Sequence, residues 1–189
     1  MSRLTITTFL GRRTYETFVG YWPRVTDPAN PIATALDRLP KYAASKTLQK
    51  ADWKGTTLVR DAVGEVARLK GGRMEGEIQV HGSADLAQTL IQHDLVDEYN
   101  LLTFHVVLGS GKRLFGNGAV LMAFGLSAFG TTSSGICIQT YTRKGTPSER
   151  GGRPRAAGGR DGMTSRRFGG PVRAGSPGRA AASVTGCCS

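Results

Sequence analysis

Residues Glu77 to Phe115, EIQVHGSADLAQTLIQHDLVDEYNLLTFHVVLGSGKRLF, decide how the chain is read. The β-branched run Ile78 to His81 reads as a buried strand, Gly82-Ser83 as a turn, and Ala84 onward as a helix. A second apolar strand is expected from about Tyr99 to Leu108, followed by the turn Gly109-Ser110-Gly111 carrying Lys112 and Arg113. A strand that feeds through Gly-Ser into a helix exposes backbone N–H groups where an anion can sit. Gly82 allows close approach to the backbone, and Ser83 supplies an N-cap and a hydroxyl. The plain alternative is a capped turn with no ligand, which Asp85 supports because its charge competes with a phosphate.

Working towards the N-terminus, two more strand ends share this chemistry. Ser2 to Leu10 alternates β-branched and apolar residues as a strand does, and it runs at once into Gly11-Arg12-Arg13-Thr14 and a helix carrying Tyr15, Phe18 and Val19. Arginine offers a planar fork of donors suited to phosphate, and Thr14 is a helix-start residue; a solvated basic turn is the competing reading. Asn30-Pro31 opens a short helix to about Leu39, stopped by Pro40. Lys41 to Ser45 is a short strand leading to Ser45-Lys46-Thr47, a third strand end with hydroxyls and a cation, or simply a polar turn. Thr56 to Arg60 is a further strand, and Asp61 caps a helix that ends at Gly71-Gly72. Beyond Phe115 the text is glycine-rich and weakly patterned until Gly135 to Thr142, which alternates like a final edge strand.

Strands alternating with helices indicate an α/β fold with a largely parallel sheet. Ligands of such sheets bind outside the carboxyl ends of the strands. If the strands before Gly11, Ser45 and Gly82 are parallel neighbours, three weak phosphate signals face one crevice.

Composition sets the limits. The chain has 189 residues, 39% hydrophobic residues and a formal net charge of +11. From Thr146 to Ser189 there is no Leu, Ile, Trp or Tyr, so the domain is expected over 1–145 and a disordered Arg/Gly/Pro/Ala-rich tail over 146–189. Eight Arg against Glu149 and Asp161 place +6 of the charge in that tail, so the basicity is not evidence for a nucleic-acid-binding fold. No signal peptide or membrane-spanning run is read, and Cys187-Cys188 have no ligand set for zinc nearby, which together point to a reduced, cytoplasmic protein. His81, His93 and His105 share no ligand spacing, so no metal is expected. Cys137 is expected to be a buried small hydrophobe.

The strings LGRRTYE, SKTL before Trp53, VHGSADLAQTLIQHDLVDEYNLLTFHVVLGSGKRLF and GICIQTY together resemble the dihydrofolate-reductase-like superfamily. The nearest branch is the C-terminal reductase domain of the bifunctional riboflavin-biosynthesis deaminase/reductase, over about Leu10 to Gly145. The resemblance implies a central mixed sheet flanked by helices and an NADPH-dependent oxidoreductase. Its substrate would be a pteridine- or pyrimidine-type heterocycle of the 5-amino-6-ribosylaminouracil-phosphate class. It further implies Arg12 and Arg13 near the adenosine 2′-phosphate and diphosphate, Thr14 at the diphosphate, and Ser45 and Lys46 by the 2′-phosphate. Gly82 and Ser83, with the helix N-terminus that follows, match the turn that receives the diphosphate, and Gly11 belongs to the same cofactor-binding set. No catalytic residue is assigned. Family members are often dimers, which makes a homodimer an assembly to test for.

The match also has a gap. Family members usually begin with a strand ending in T-L-D-G or S-L-D-G, then a long loop and helix, then a second strand into G-R-R-T-Y-E. Here SRLTITTF runs straight into LGRRTYE, as though by an internal deletion near residues 9–10 in an N-terminally shortened domain. The family's first strand lies centrally in the sheet, so its loss would leave backbone groups of the neighbouring strands unpaired, at roughly 1–3 kcal/mol each if buried. Two rival readings follow: a non-catalytic relative keeping part of the cofactor site, and a nucleic-acid binder acting through the basic tail.

Overall fold

The computed structural model describes residues 5–72, 76–81, 83–116, 120–147 and 181–188. Strand β1 (Thr5–Gly11) passes without a loop into helix α1 (Arg12–Tyr21), which ends in a 3-10 turn over Trp22–Arg24. Helix α2 (Pro31–Arg38) starts as its sequence dictates: the Asn30 side chain accepts hydrogen bonds from the Ile32 and Ala33 amides, and Pro31 stands at the first helical position. Strands β2 (Lys41–Ala44) and β3 (Thr56–Val59) follow. Asp61 caps α3 (Ala62–Gly71) by accepting from the Gly64 amide at 3.0 Å. Then come β4 (Gly76–His81), α4 (Ala84–Gln92), β5 (Glu98–Thr103), β6 (Phe124–Thr131), β7 (Cys137–Arg143) and β8 (Ala181–Cys188).

All eight strands form one sheet in the order β3-β2-β1-β4-β8-β5-β7-β6. Pairing is parallel from β3 across to β5 and antiparallel among β5, β7 and β6, the mixed, largely parallel sheet expected from the sequence. Both faces are covered, as a parallel sheet requires. Adjacent residues of β1 show it: Phe9 joins a core with Val66, Leu69, Ile78, Val80, Leu90 and Tyr99, whereas Leu10 joins Tyr15, Leu36, Ala43 and Trp53. Phe9 also stacks on Tyr42, its register partner in β2, with ring centroids 5.7 Å apart. Lys41 is fully buried, and its Nζ donates to the Leu36 and Leu39 carbonyls at 2.6 and 2.9 Å, closing the C-terminus of α2 with a cation. Burial pushes its pKa below the ordinary lysine value.

Several expectations change. Residues 181–188 form β8 inside the sheet, so that part of the tail is not the disordered segment expected over 146–189; residues 148–180 and 189 lie outside the described residues. Composition averaged over the tail hides the short run AASVTGCC, which has no proline and no charge. The unpaired centre anticipated from the absent early strand is filled for the same reason: β8 stands between β4 and β5. The run read as a final edge strand is β7, an inner strand, because the glycine-rich segment before it forms the true edge, β6. Strand β5 ends at Thr103 rather than Leu108, and Val107 is 97% exposed, because the ladders with β7 and β8 stop there. His105 consequently lies in a loop, and Cys137 is half-buried rather than buried.

Candidate functional site

The strands β2, β1 and β4 are parallel neighbours, so Gly11, Ser45 and Ser83 lie at adjacent carboxyl ends on one edge of the sheet. The condition on which the three signals depended is met. Gly82 lies outside the described residues.

Gly11 and Ser83 touch. A Cβ built on Gly11 would fall 2.3 Å from Ser83 Oγ and 2.6 Å from Ser83 Cβ, so only glycine permits this packing of the two strand ends. Ser83 itself has a left-handed backbone with φ +61°, a conformation that costs a non-glycine residue energy. Its hydroxyl does not turn back to cap α4; it shares a 2.6 Å hydrogen bond with Thr14 Oγ1 in the first turn of α1. Among the described residues, neither α1 nor α4 has a side-chain cap at its N-terminus. Two helix starts without a side-chain cap thus face one edge side by side.

The charges around them run against ordinary helix design. The first turn of α1 holds Arg12 and Arg13 and no acidic residue, which places cations at the positive end of a helix. Arg12 is braced by Glu16 at 2.7 Å and donates to Thr47 Oγ1 at 2.5 Å, tying α1 to the turn after β2. In that turn Ser45 Oγ accepts from the Thr47 and Leu48 amides, and Arg60, at the end of β3, donates to the Ser45 carbonyl at 2.7 Å. Lys46 and Arg13 are exposed. Asp85, the residue that spoke against an anion at α4, is neutralised: Lys112 Nζ sits 2.8 Å from both its carboxylate oxygens, holding the carboxyl below its usual pKa, with Arg13 adding to the effect. Lys112, carried by the turn at Gly109-Ser110-Gly111, is therefore a partner of α4.

Sequence reasoning missed Thr47 and Arg60. The signal for Thr47 was present in Ser45-Lys46-Thr47, but only the fold brings Arg12 to it. Arg60 carried no signal, since a strand-end arginine is ordinary until its neighbours are known. His81 closes β4 just before this edge; burial holds its imidazole below the ordinary pKa, with Glu77 opposing. A cavity of about 340 Å³ lined by Trp22, Pro28, Asp37 and Trp53 lies elsewhere, against the amino ends of β2 and β3.

A largely parallel α/β sheet whose carboxyl edge gathers two helix N-termini and several cations is the arrangement of the open-sheet class. Within that class the chain matches the model of the RibD C-terminal domain over residues 5–138, more than two thirds of its length, and it belongs to that reductase-like family. It is 32% identical over 111 residues to the uncharacterized protein YyaP of Bacillus subtilis strain 168, covering 58% of each chain; it thus spans little more than half the length of that relative. A crystal structure of a Shewanella sp. PV-4 protein named for riboflavin biosynthesis shares the fold, with a TM-score of 0.57, 20% identity and 73% of each chain covered. A pyrimidine reductase-like protein from Corynebacterium diphtheriae aligns at a TM-score of 0.49 and 13% identity, over 72% of this chain and 75% of its own. No described helix is long and apolar enough to cross a membrane.

Proposed function

We propose that this chain is an NADPH-dependent reductase acting on a small heterocyclic substrate of the riboflavin-pathway kind. The observation that carries the reading is the meeting of two uncapped helix N-termini through Thr14 and Ser83, beside Arg12 and Arg13. A dinucleotide phosphate chain fits that donor set: backbone N–H groups for the diphosphate, and the Arg12, Arg13, Ser45 and Lys46 cluster for a 2′-phosphate. When bound, the cofactor supplies the hydride. The protein's part is to bind and orient. Arg12, fixed by Glu16 and Thr47, presents its guanidinium in a set direction, and Gly11 keeps the Ser83 turn close. Membership of the reductase-like family and the charge pattern both support this.

The test is a fluorescence titration. NADPH is expected to bind below millimolar concentration and more tightly than NADH, because only the former carries the 2′-phosphate. Arg12→Gln/Arg13→Gln should weaken NADPH by at least about tenfold while changing NADH less, since each charge-assisted contact contributes roughly 1.5–3 kcal/mol. Absence of NADPH binding by a folded protein refutes the proposal.

A further inference from the structure

The crossover from β4 through α4 to β5 skips one position in the sheet, leaving a gap one strand wide. The backbone of β8 fills it, pairing in parallel with Glu77–His81 of β4 and with Glu98–Thr103 of β5. Among the described strands, no other ladder joins β3-β2-β1-β4 to β5-β7-β6. The gap is also interior. Val80 and Tyr99, both within 1% of complete burial, stand on either side of Val184 in the register. Backbone N–H and C=O groups on two inner strand edges need partners, because water cannot replace them there. The demand for a strand is therefore set by the body of the domain, and it is met by a segment separated from β7 by residues 144–180.

We propose that the gap between β4 and β5 is a strand-receiving site, that its occupant is the chain's own segment 181–188, and that this segment binds as a separable peptide. Recognition is by main-chain ladders on both edges, the mode by which extended peptides add to open sheets. The sequence AASVTGCC suits it, since an inner strand excludes proline and charge. Filling the site also reaches the candidate anion edge: Thr185 is the register partner of His81, the residue that ends β4 ahead of Ser83 and α4. The proposal stands on the sheet alone and does not depend on which ligand the edge binds.

The experiment begins from the full chain with a protease recognition sequence inserted between Gly158 and Gly159. After cleavage, the fragment from 159 onward should co-elute with the body in gel filtration, and excess labelled peptide Ala181–Ser189 should exchange into it. The same peptide with Val184→Pro, which removes a ladder N–H, should be taken up at least about tenfold less. Release of the fragment with the body's melting and near-ultraviolet dichroism unchanged overturns the proposal, as does equal uptake of the two peptides. An uncut chain supplies the second measurement. Gln79 and Ser183 are register partners, so oxidation of Gln79→Cys/Ser183→Cys should link 79 to 183 within one chain, read by peptide mass. No link, or a link found only between two chains, also overturns it.

Discussion

Gly11→Ala isolates the closest contact of the candidate site. Gly11 has φ −75° and ψ 162°, ordinary extended values, so alanine meets no conformational penalty there and any effect is steric. The new methyl would lie 2.3 Å from Ser83 Oγ and 2.6 Å from its Cβ, while its next neighbour, Leu86 Cβ at 3.6 Å, is an ordinary contact. Ser83 cannot easily withdraw, being held at φ +61° and bonded to Thr14 at 2.6 Å. Overpacking of this kind costs about 1–3 kcal/mol, and losing the hydroxyl pair adds about 0.5–1.5 kcal/mol. Together these predict roughly 2–4 kcal/mol, read as a lower urea midpoint at unchanged slope. Ser83→Gly removes both clashing atoms and relieves about 1 kcal/mol of left-handed strain, against loss of the same hydroxyl pair, so alone it should be near neutral. In the double variant Gly11→Ala should then cost little, so the coupling is close to the full cost of the single change, about 2–4 kcal/mol. A Gly11→Ala chain within about 0.5 kcal/mol of the parent, or strict additivity of the two changes, would show that these strand ends do not pack in this way.

Two further outcomes are expected. Lys112→Met should weaken phosphate or nucleotide binding several-fold by freeing the Asp85 charge at the start of α4, and Asp85→Asn should abolish that effect; independent, additive changes in the titration would refute the coupling. Burial raises the Tyr99 phenol to about 12 from an ordinary 10.0, so the native state keeps a proton that the unfolded chain loses between those values. The stability this contributes is complete below pH 10 and disappears towards pH 12, so the parent's advantage over Tyr99→Phe should shrink by about 2–3 kcal/mol across that range, and denaturation curves showing a pH-independent difference would contradict it.

How much could be read in advance differs from element to element. Asn30-Pro31 and Asp61 announced α2 and α3 because capping is a local affair, settled by the amides two or three residues away. The Gly11 to Thr14, Ser45-Lys46 and Ser83 turns were legible for a related reason: strand, small residue and helix start follow one another in the chain. Val107 misled because apolar character reports a wish for burial, and burial requires a neighbour that the ladder of β5 does not reach. The edge strand β6 was hidden by its glycines, which weaken the alternating pattern although the hairpin with β7 still supplies its hydrogen bonds.

What the amino-acid sequence determined by itself is the set of parts: the alternation of strands and helices, the polar strand ends, and the family to which Glu77 to Phe115 belongs. The tertiary structure decided which parts meet. Parallel pairing of β2, β1 and β4 brought Ser45, Gly11 and Ser83 to one edge, Lys112 came to silence Asp85, and Lys41, an ordinary cation in the sequence, became a buried cap on α2. It also decided the fate of residues 181–188. Their composition describes a segment with too little apolar surface to fold alone, and the open ladders of β4 and β5 supply the hydrogen bonds that hold it as a central strand.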